Sequence, residues 1–93
     1  MNLQQLRYVF EIARRGYNVS EAAEALFTSQ PGVSKQIKLL EEELGVDVFV
    51  RHGKRLTGFT EPGRQVLTIA ERVLRDVDNL KQVGAEFSRE ASG

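Results

Sequence analysis

Residues 18–45 read NVSEAAEALFTSQPGVSKQIKLLEEELG, and the fold turns on this stretch. Asn18 and Ser20 are good N-cap residues just ahead of a short alanine-rich segment that predicts a helix through Leu26. Its Ala22 and Ala23 are small enough for close helix–helix contact. Thr28 and Ser29 offer a second cap, and Pro31 falls in the first turn of a longer helix, where a missing N–H costs nothing. That longer helix runs to about Leu44 and stops at Gly45, a suitable residue just past a helix end.

The longer helix has two faces. Val33, Ile37, Leu40 and Leu44 step by 4, 3 and 4 residues and form one apolar stripe. At roughly 100° per residue, Gln30, Pro31, Ser34, Lys35 and Lys38 gather about 120° away. No acid lies between Ala25 and Leu40, so this second face is cationic. A short helix, a tight turn and a longer helix presenting Gln, Ser and Lys form the helix-turn-helix pattern.

Working outward, Leu3, Leu6, Val9, Phe10 and Ala13 recur at helical spacing and predict a first helix over about 3–15. After Gly45 the period changes. Val46, Val48 and Val50 alternate with Asp47 and Phe49, which predicts a strand. Gly53 suits a tight turn, and Leu56–Phe59 returns as a second short strand. The hairpin so formed, a wing, carries Arg51, Lys54 and Arg55 and no acid from Val48 to Thr60.

From Thr60, a capping residue followed by Glu61 and Pro62, the pattern is helical to nearly the end. Val66, Ala70, Val73, Val77, Leu80, Gly84 and Phe87 alternate steps of 4 and 3, a heptad seam widened by Leu67 and Leu74. A helix of about 26 residues is roughly 39 Å long, more than so small a domain can cover. The seam therefore predicts a partner, most simply the same helix of a second copy. The organisation expected is mainly α with a small β-hairpin: a winged helix-turn-helix over 1–59, a dimerisation helix over 60–88, and a frayed tail or hinge start over 89–93.

Composition bounds the function. The 93 residues suffice for one small domain, 41% hydrophobic and 28% charged, with no net charge. A single core this size is marginal alone, and dimerisation relieves that. Apolar runs never exceed three residues, so no membrane span of about 20 exists. No secretory signal opens the chain, and a cytoplasmic location is expected. With no cysteine and one histidine, His52, a transition-metal site is not expected. Glu41, Glu42 and Glu43 read as the solvated end of the helix, not as an acid/base pair. No phosphate-binding glycine motif and no nucleophile–base pair is legible, so no enzyme and no cofactor are expected.

Nucleic-acid chemistry suits the residue types better. Gln30 can bond an adenine bidentately, and Ser34 can donate or accept at either base edge. Pro31 offers an apolar surface to a thymine methyl. Lys35 reaches guanine or phosphate, and Lys38, one turn on, a phosphate. Thr28 and Ser29, with the amides opening the helix, suit phosphate clamping, and Ser20 is a further DNA-binding candidate. Arg51 is expected to enter a minor groove, with Lys54 and Arg55 along the backbone. The competing reading is a helical coiled-coil interaction module whose basic hairpin is only solvated surface.

The ordered string Ala22-Ala23-Glu24-Ala25-Leu26, Thr28-Ser29-Gln30-Pro31-Gly32-Val33-Ser34-Lys35, Leu39-Leu40-Glu41, Leu44-Gly45, Val48-Phe49, Arg51, Leu56-Thr57, Thr60 and Pro62-Gly63 resembles the N-terminal part of LysR-type transcriptional regulators. Within them it is most similar to the CysB-like regulators of sulfur assimilation and cysteine biosynthesis, through Leu3-Gln4-Gln5-Leu6-Arg7-Tyr8, Asn18-Val19-Ser20 and Gly53-Lys54-Arg55. The resemblance implies a bacterial winged helix-turn-helix whose linker helix pairs antiparallel with its twin on dyad promoter DNA. It also implies, for full-length members, tetramers, contact with RNA polymerase, and a C-terminal domain that binds an acetylserine-type inducer. On that reading this chain is a DNA-binding fragment cut near the hinge.

Overall fold

A computed structural model describes the backbone of residues 1–92 and the side chains of residues 1–88. The order is α1 (Leu3–Arg14), α2 (Val19–Ala25), α3 (Gln30–Leu44), β1 (Phe49–His52), β2 (Arg55–Phe59) and α4 (Glu61–Ser92). Every helix opens on a side chain that accepts an otherwise unpaired amide. Asn2 takes the Gln5 N–H at 2.8 Å, Asn18 the Glu21 N–H at 3.0 Å, Ser29 the Gly32 N–H at 3.1 Å and Thr60 the Gly63 N–H at 3.0 Å. Asn18 is therefore the cap of α2, and Ser20 lies inside that helix. Gly45 ends α3 at φ 73°, a left-handed conformation that glycine adopts without strain.

The core lies where α1, α2 and α3 meet the base of the hairpin. Val9 and Ile12, Ala22 and Ala23, Val33, Ile37 and Leu40, and Val48 and Phe49 are all buried. The stripe of α3 thus faces inward as its spacing predicts. Tyr17 and Phe59 enclose Phe49, which stacks on Phe59 at 4.8 Å while Tyr17 meets both rings edge-on. Full burial of a side chain like Phe49 is worth about 1.5–3 kcal/mol, so this cluster holds the hairpin to the helices.

The strand does not begin at Val46: Val48 and Phe49 are buried in succession while Val46 and Val50 are exposed, and β1 starts at Phe49. The reason is local, because the Glu41 carboxylate accepts the amides of both Val48 and Phe49 and holds that segment before any strand partner is met. The strands then pair antiparallel from Phe49↔Phe59 to His52↔Arg55, with a register shift between Val50 and Arg51. Glu41 itself is only 7% exposed, so it is not a solvated helix end.

Helix α4 runs on to Ser92, past the expected end at residue 88. Nothing in Glu86–Ala91 breaks a helix, since neither proline nor glycine occurs there. The backbone of 89–92 therefore extends α4, and the rest of the expected tail, Gly93, lies outside the described residues. The heptad seam is covered in part from within its own chain. Ala70 is fully buried, Val66 and Leu67 pack on the core, and Val73 and Val77 are half-buried, because α4 lies along α1 of its own chain. The seam is most open in its outer part, where Leu80, Val83 and Phe87 are 70%, 50% and 65% exposed. Ala70 is thus a core residue with no surface to offer a second copy, and Val66 is half-buried against the core.

Gly63 fixes how α4 begins. A Cβ there would sit 1.9 Å from the Val48 carbonyl oxygen and 3.0 Å from the Phe59 ring, so only glycine lets α4 start against the hairpin.

Candidate nucleic-acid interface

The first residues of α3 are held rather than frayed. Ser29 caps the helix, Pro31 occupies its first turn, and the inward stripe of Val33, Ile37 and Leu40 sets its rotation. That rotation leaves Gln30, Pro31, Ser34, Lys35 and Lys38 exposed on one side. Thr28, in the turn before the cap, is half-buried, and Ser29 is exposed.

The hairpin forms the opposite wall. Its two-residue turn places Gly53 at φ 64° and Lys54 next to it, a turn of the kind that matches the twist of paired strands. Lys54 and Arg55 are exposed at its tip. Between the walls runs a groove of about 390 Å³, with Gln30, Ser34 and Lys38 on the helix side and Gly53, Lys54 and Leu56 on the hairpin side. A second hollow of about 270 Å³ joins Asn18 and Ser20 to Gln30, Lys54 and Arg55. Gln30 and Lys54 border both, so α2, α3 and the hairpin converge on one surface.

The charge on that surface is not neutralised from within. Among the described residues the ion pairs join the Met1 amino group to Glu43, Arg15 to Glu11, and Arg51 to Glu41. Lys35, Lys38, Lys54 and Arg55 enter none of them. Lys38 and Lys54 line the groove, Arg55 borders the adjoining hollow and Lys35 is exposed on the same helix, the electrostatic footprint of a polyanion site although the chain carries no net charge. No helix of the described residues is long and apolar enough to cross a membrane. Among the described residues, no group of three His, Asp or Glu side chains gathers to hold a metal.

Arg51 is anchored as well as exposed. Its Nη2 lies 2.8 Å from Glu41 Oε1 and its Nη1 3.3 Å from Oε2, so the guanidinium ties the hairpin's base to α3 while its side chain stays 39% exposed beside the groove. Burial alone would raise the Glu41 carboxyl. The Arg51 hydrogen bonds, the Val48 and Phe49 amides and the Arg51 charge outweigh it and hold the group below its ordinary value of 4.5. Sequence reasoning missed this anchor. Its signal was present, since Glu41 stands four residues after Ile37 and eight after Val33 on the buried side of α3.

A family profile described as bacterial regulatory helix-turn-helix protein, lysR family, matches residues 3–64. Over all 93 residues the chain is 57% identical to the HTH-type transcriptional regulator SsuR and 54% identical to the HTH-type transcriptional regulator CysB, both of Burkholderia cenocepacia. It is 52% identical to the HTH-type transcriptional regulator cbl of Escherichia coli. The chain spans about 30% of the length of these curated relatives. Among solved structures, the DNA-binding domain of BenM in complex with benA site 1 DNA superposes with a TM-score of 0.85 at 30% identity, covering 95% of this chain and 97% of that one. The DNA-binding domain of CbnR in its DNA complex superposes with a TM-score of 0.77 at 32% identity, with all of both chains covered.

Proposed function

The chain belongs to the LysR family of bacterial regulatory helix-turn-helix proteins, and we propose that it reads dyad promoter sites as a dimer in a regulator of sulfur-assimilation and cysteine-biosynthesis genes. The DNA-binding fold itself is that of the family. The observation that carries the reading is the groove between α3 and the hairpin, bordered by Gln30 and Ser34 and flanked by cations without internal partners. A major groove admits one helix, and Gln30, Ser34 and Lys35 are the types that bond base edges there. Lys38, Lys54 and Arg55 then lie beside phosphates and fix register. Identity to the regulators named SsuR, CysB and cbl supports the sulfur assignment.

Dimerisation falls to the outer part of α4. Leu80, Val83 and Phe87 form an exposed apolar stripe on a helix that extends well past the core. Two such stripes laid antiparallel cover each other and set two reading heads on one duplex. The module acts in the cytoplasm and performs no catalysis; an acetylserine-type inducer and contact with RNA polymerase belong to the longer regulator. A reading of the chain as a coiled-coil interaction module accounts for α4 but leaves Lys35, Lys38, Lys54 and Arg55 with no role.

Salt-titrated fluorescence anisotropy separates these readings. One duplex carries a dyad-symmetric sulfur-assimilation promoter site and the other its scrambled sequence. Tighter binding to the promoter, with a salt slope of several units, is expected. Equal binding to both withdraws the sulfur target, and no binding by a folded dimer supports the interaction module.

A further inference from the structure

We propose that Ser20 is a positioning residue for base recognition: from α2 it holds the Gln30 carboxamide in the reading orientation and makes no contact with DNA. This rests on the assignment of the α3 groove as the DNA-reading surface. The Ser20 hydroxyl donates to Gln30 Oε1 at 2.8 Å, across ten residues of sequence and from one helix to the next. Both side chains are exposed, so neither is fixed by packing. Gln30 is the first residue of α3 and borders both hollows that meet the hairpin.

A free glutamine on a surface samples many rotamers, and ordering its side chain on binding opposes affinity. The serine bond removes that freedom beforehand. With Oε1 engaged from the α2 side, the amide N–H₂ is the edge left for a ligand, together with the second lone pair of Oε1. That edge donates to the N7 acceptor of a purine in the major groove. Ser20 is itself held by its own helix, which Asn18 caps at its start. The two helices of the motif are therefore coupled through one polar contact at the point of reading, and Ser20, which the sequence places among the DNA-binding candidates, acts through Gln30.

The test compares wild type, Ser20→Ala and Ser20→Thr by selection from a pool of randomised duplexes, with salt slopes measured on the selected sequence. Alanine suits an exposed position inside a helix, so the variant folds. Expected for Ser20→Ala is a roughly fivefold to tenfold loss of preference at the one base pair under Gln30, with other positions and the salt slope unchanged. Ser20→Thr, which keeps the hydroxyl, restores the preference. A uniform loss at all positions with a slope smaller by about one unit makes Ser20 a phosphate contact and overturns the proposal. So does an unchanged preference in Ser20→Ala. A wild-type chain that selects no sequence overturns the DNA-reading assignment instead. In that event ¹⁵N relaxation of the Gln30 side-chain amide in the free protein still decides the point, since Ser20→Ala must raise its mobility and Ser20→Thr must not.

Discussion

Glu41 Oε1 and Arg51 Nη2 lie 2.8 Å apart and join the last turns of α3 to the first strand of the hairpin. The other carboxylate oxygen accepts the Val48 amide at 2.7 Å and the Phe49 amide at 3.3 Å. One buried carboxylate therefore sets the angle between the two walls of the groove. Glu41→Gln removes the charge and turns one acceptor into a donor facing Arg51. The expected cost is about 1–3 kcal/mol, from hydrogen bonds to charged groups, read as a shift in the urea midpoint. Although the variant gains a positive charge relative to wild type, it is expected to bind DNA more weakly. Tighter binding would show that net charge, not the position of the hairpin, governs affinity.

The same carboxylate makes stability depend on pH. Its pKa is held below 4.5 in the folded chain, so its contribution is complete above the unfolded value and is lost as pH falls through the folded one. Wild type and Glu41→Gln should accordingly differ in stability at neutral pH and converge on acidification below 4.5. Chemical denaturation of both proteins across that range checks this, and a constant difference would contradict the assignment.

Base-reading and phosphate-holding residues separate by their salt dependence. Gln30→Ala or Ser34→Ala should weaken the preferred site more than random DNA, by about 1–3 kcal/mol, with no change of slope. Lys54→Ala should weaken both duplexes alike and lower the slope by about one unit. Anisotropy titrations at several salt concentrations distinguish the two patterns.

Along α4 the same substitution has opposite consequences at two positions. Ala70→Glu buries a carboxylate at a fully buried position and is expected to unfold the chain. Leu80→Glu acts where the side chain is 70% exposed, leaving the fold intact and converting dimers to monomers in sedimentation. A Leu80→Glu protein that remains dimeric would remove the outer stripe as the pairing surface.

Gly63→Ala is expected to destabilise by about 1–3 kcal/mol, the cost of overpacking a filled site. Its Cβ would meet the Val48 carbonyl, which is backbone and has no other rotamer to adopt. A thermal melt of the variant provides the measurement.

Much of this architecture was legible in the sequence because its signals are local. The caps Asn18 and Ser29, the stop at Gly45 and the stripe of Val33, Ile37 and Leu40 act within one or two helical turns. The exposed set from Gln30 to Lys38 follows from that stripe by rotation alone. What the sequence hid depends on contacts between distant segments. Arg51 reads as a free wing cation until Glu41 is seen ten residues back, buried beside it. The heptad seam reads as uniform, yet α1 takes Ala70 and leaves Leu80. Periodicity identifies an apolar face and does not say which surface will cover it. The hydroxyl of Ser20 likewise gains its partner only when α2 and α3 cross.

The most direct test of the central claim is a DNA titration of the ¹⁵N-labelled chain followed by NMR. If the groove between α3 and the hairpin is the reading surface, amide shifts concentrate at Gln30–Lys38 and His52–Arg55. The amides of Val9, Ile12 and Ala70 in the core then stay unchanged. Shifts confined to the outer part of α4, with the groove silent, would contradict the account.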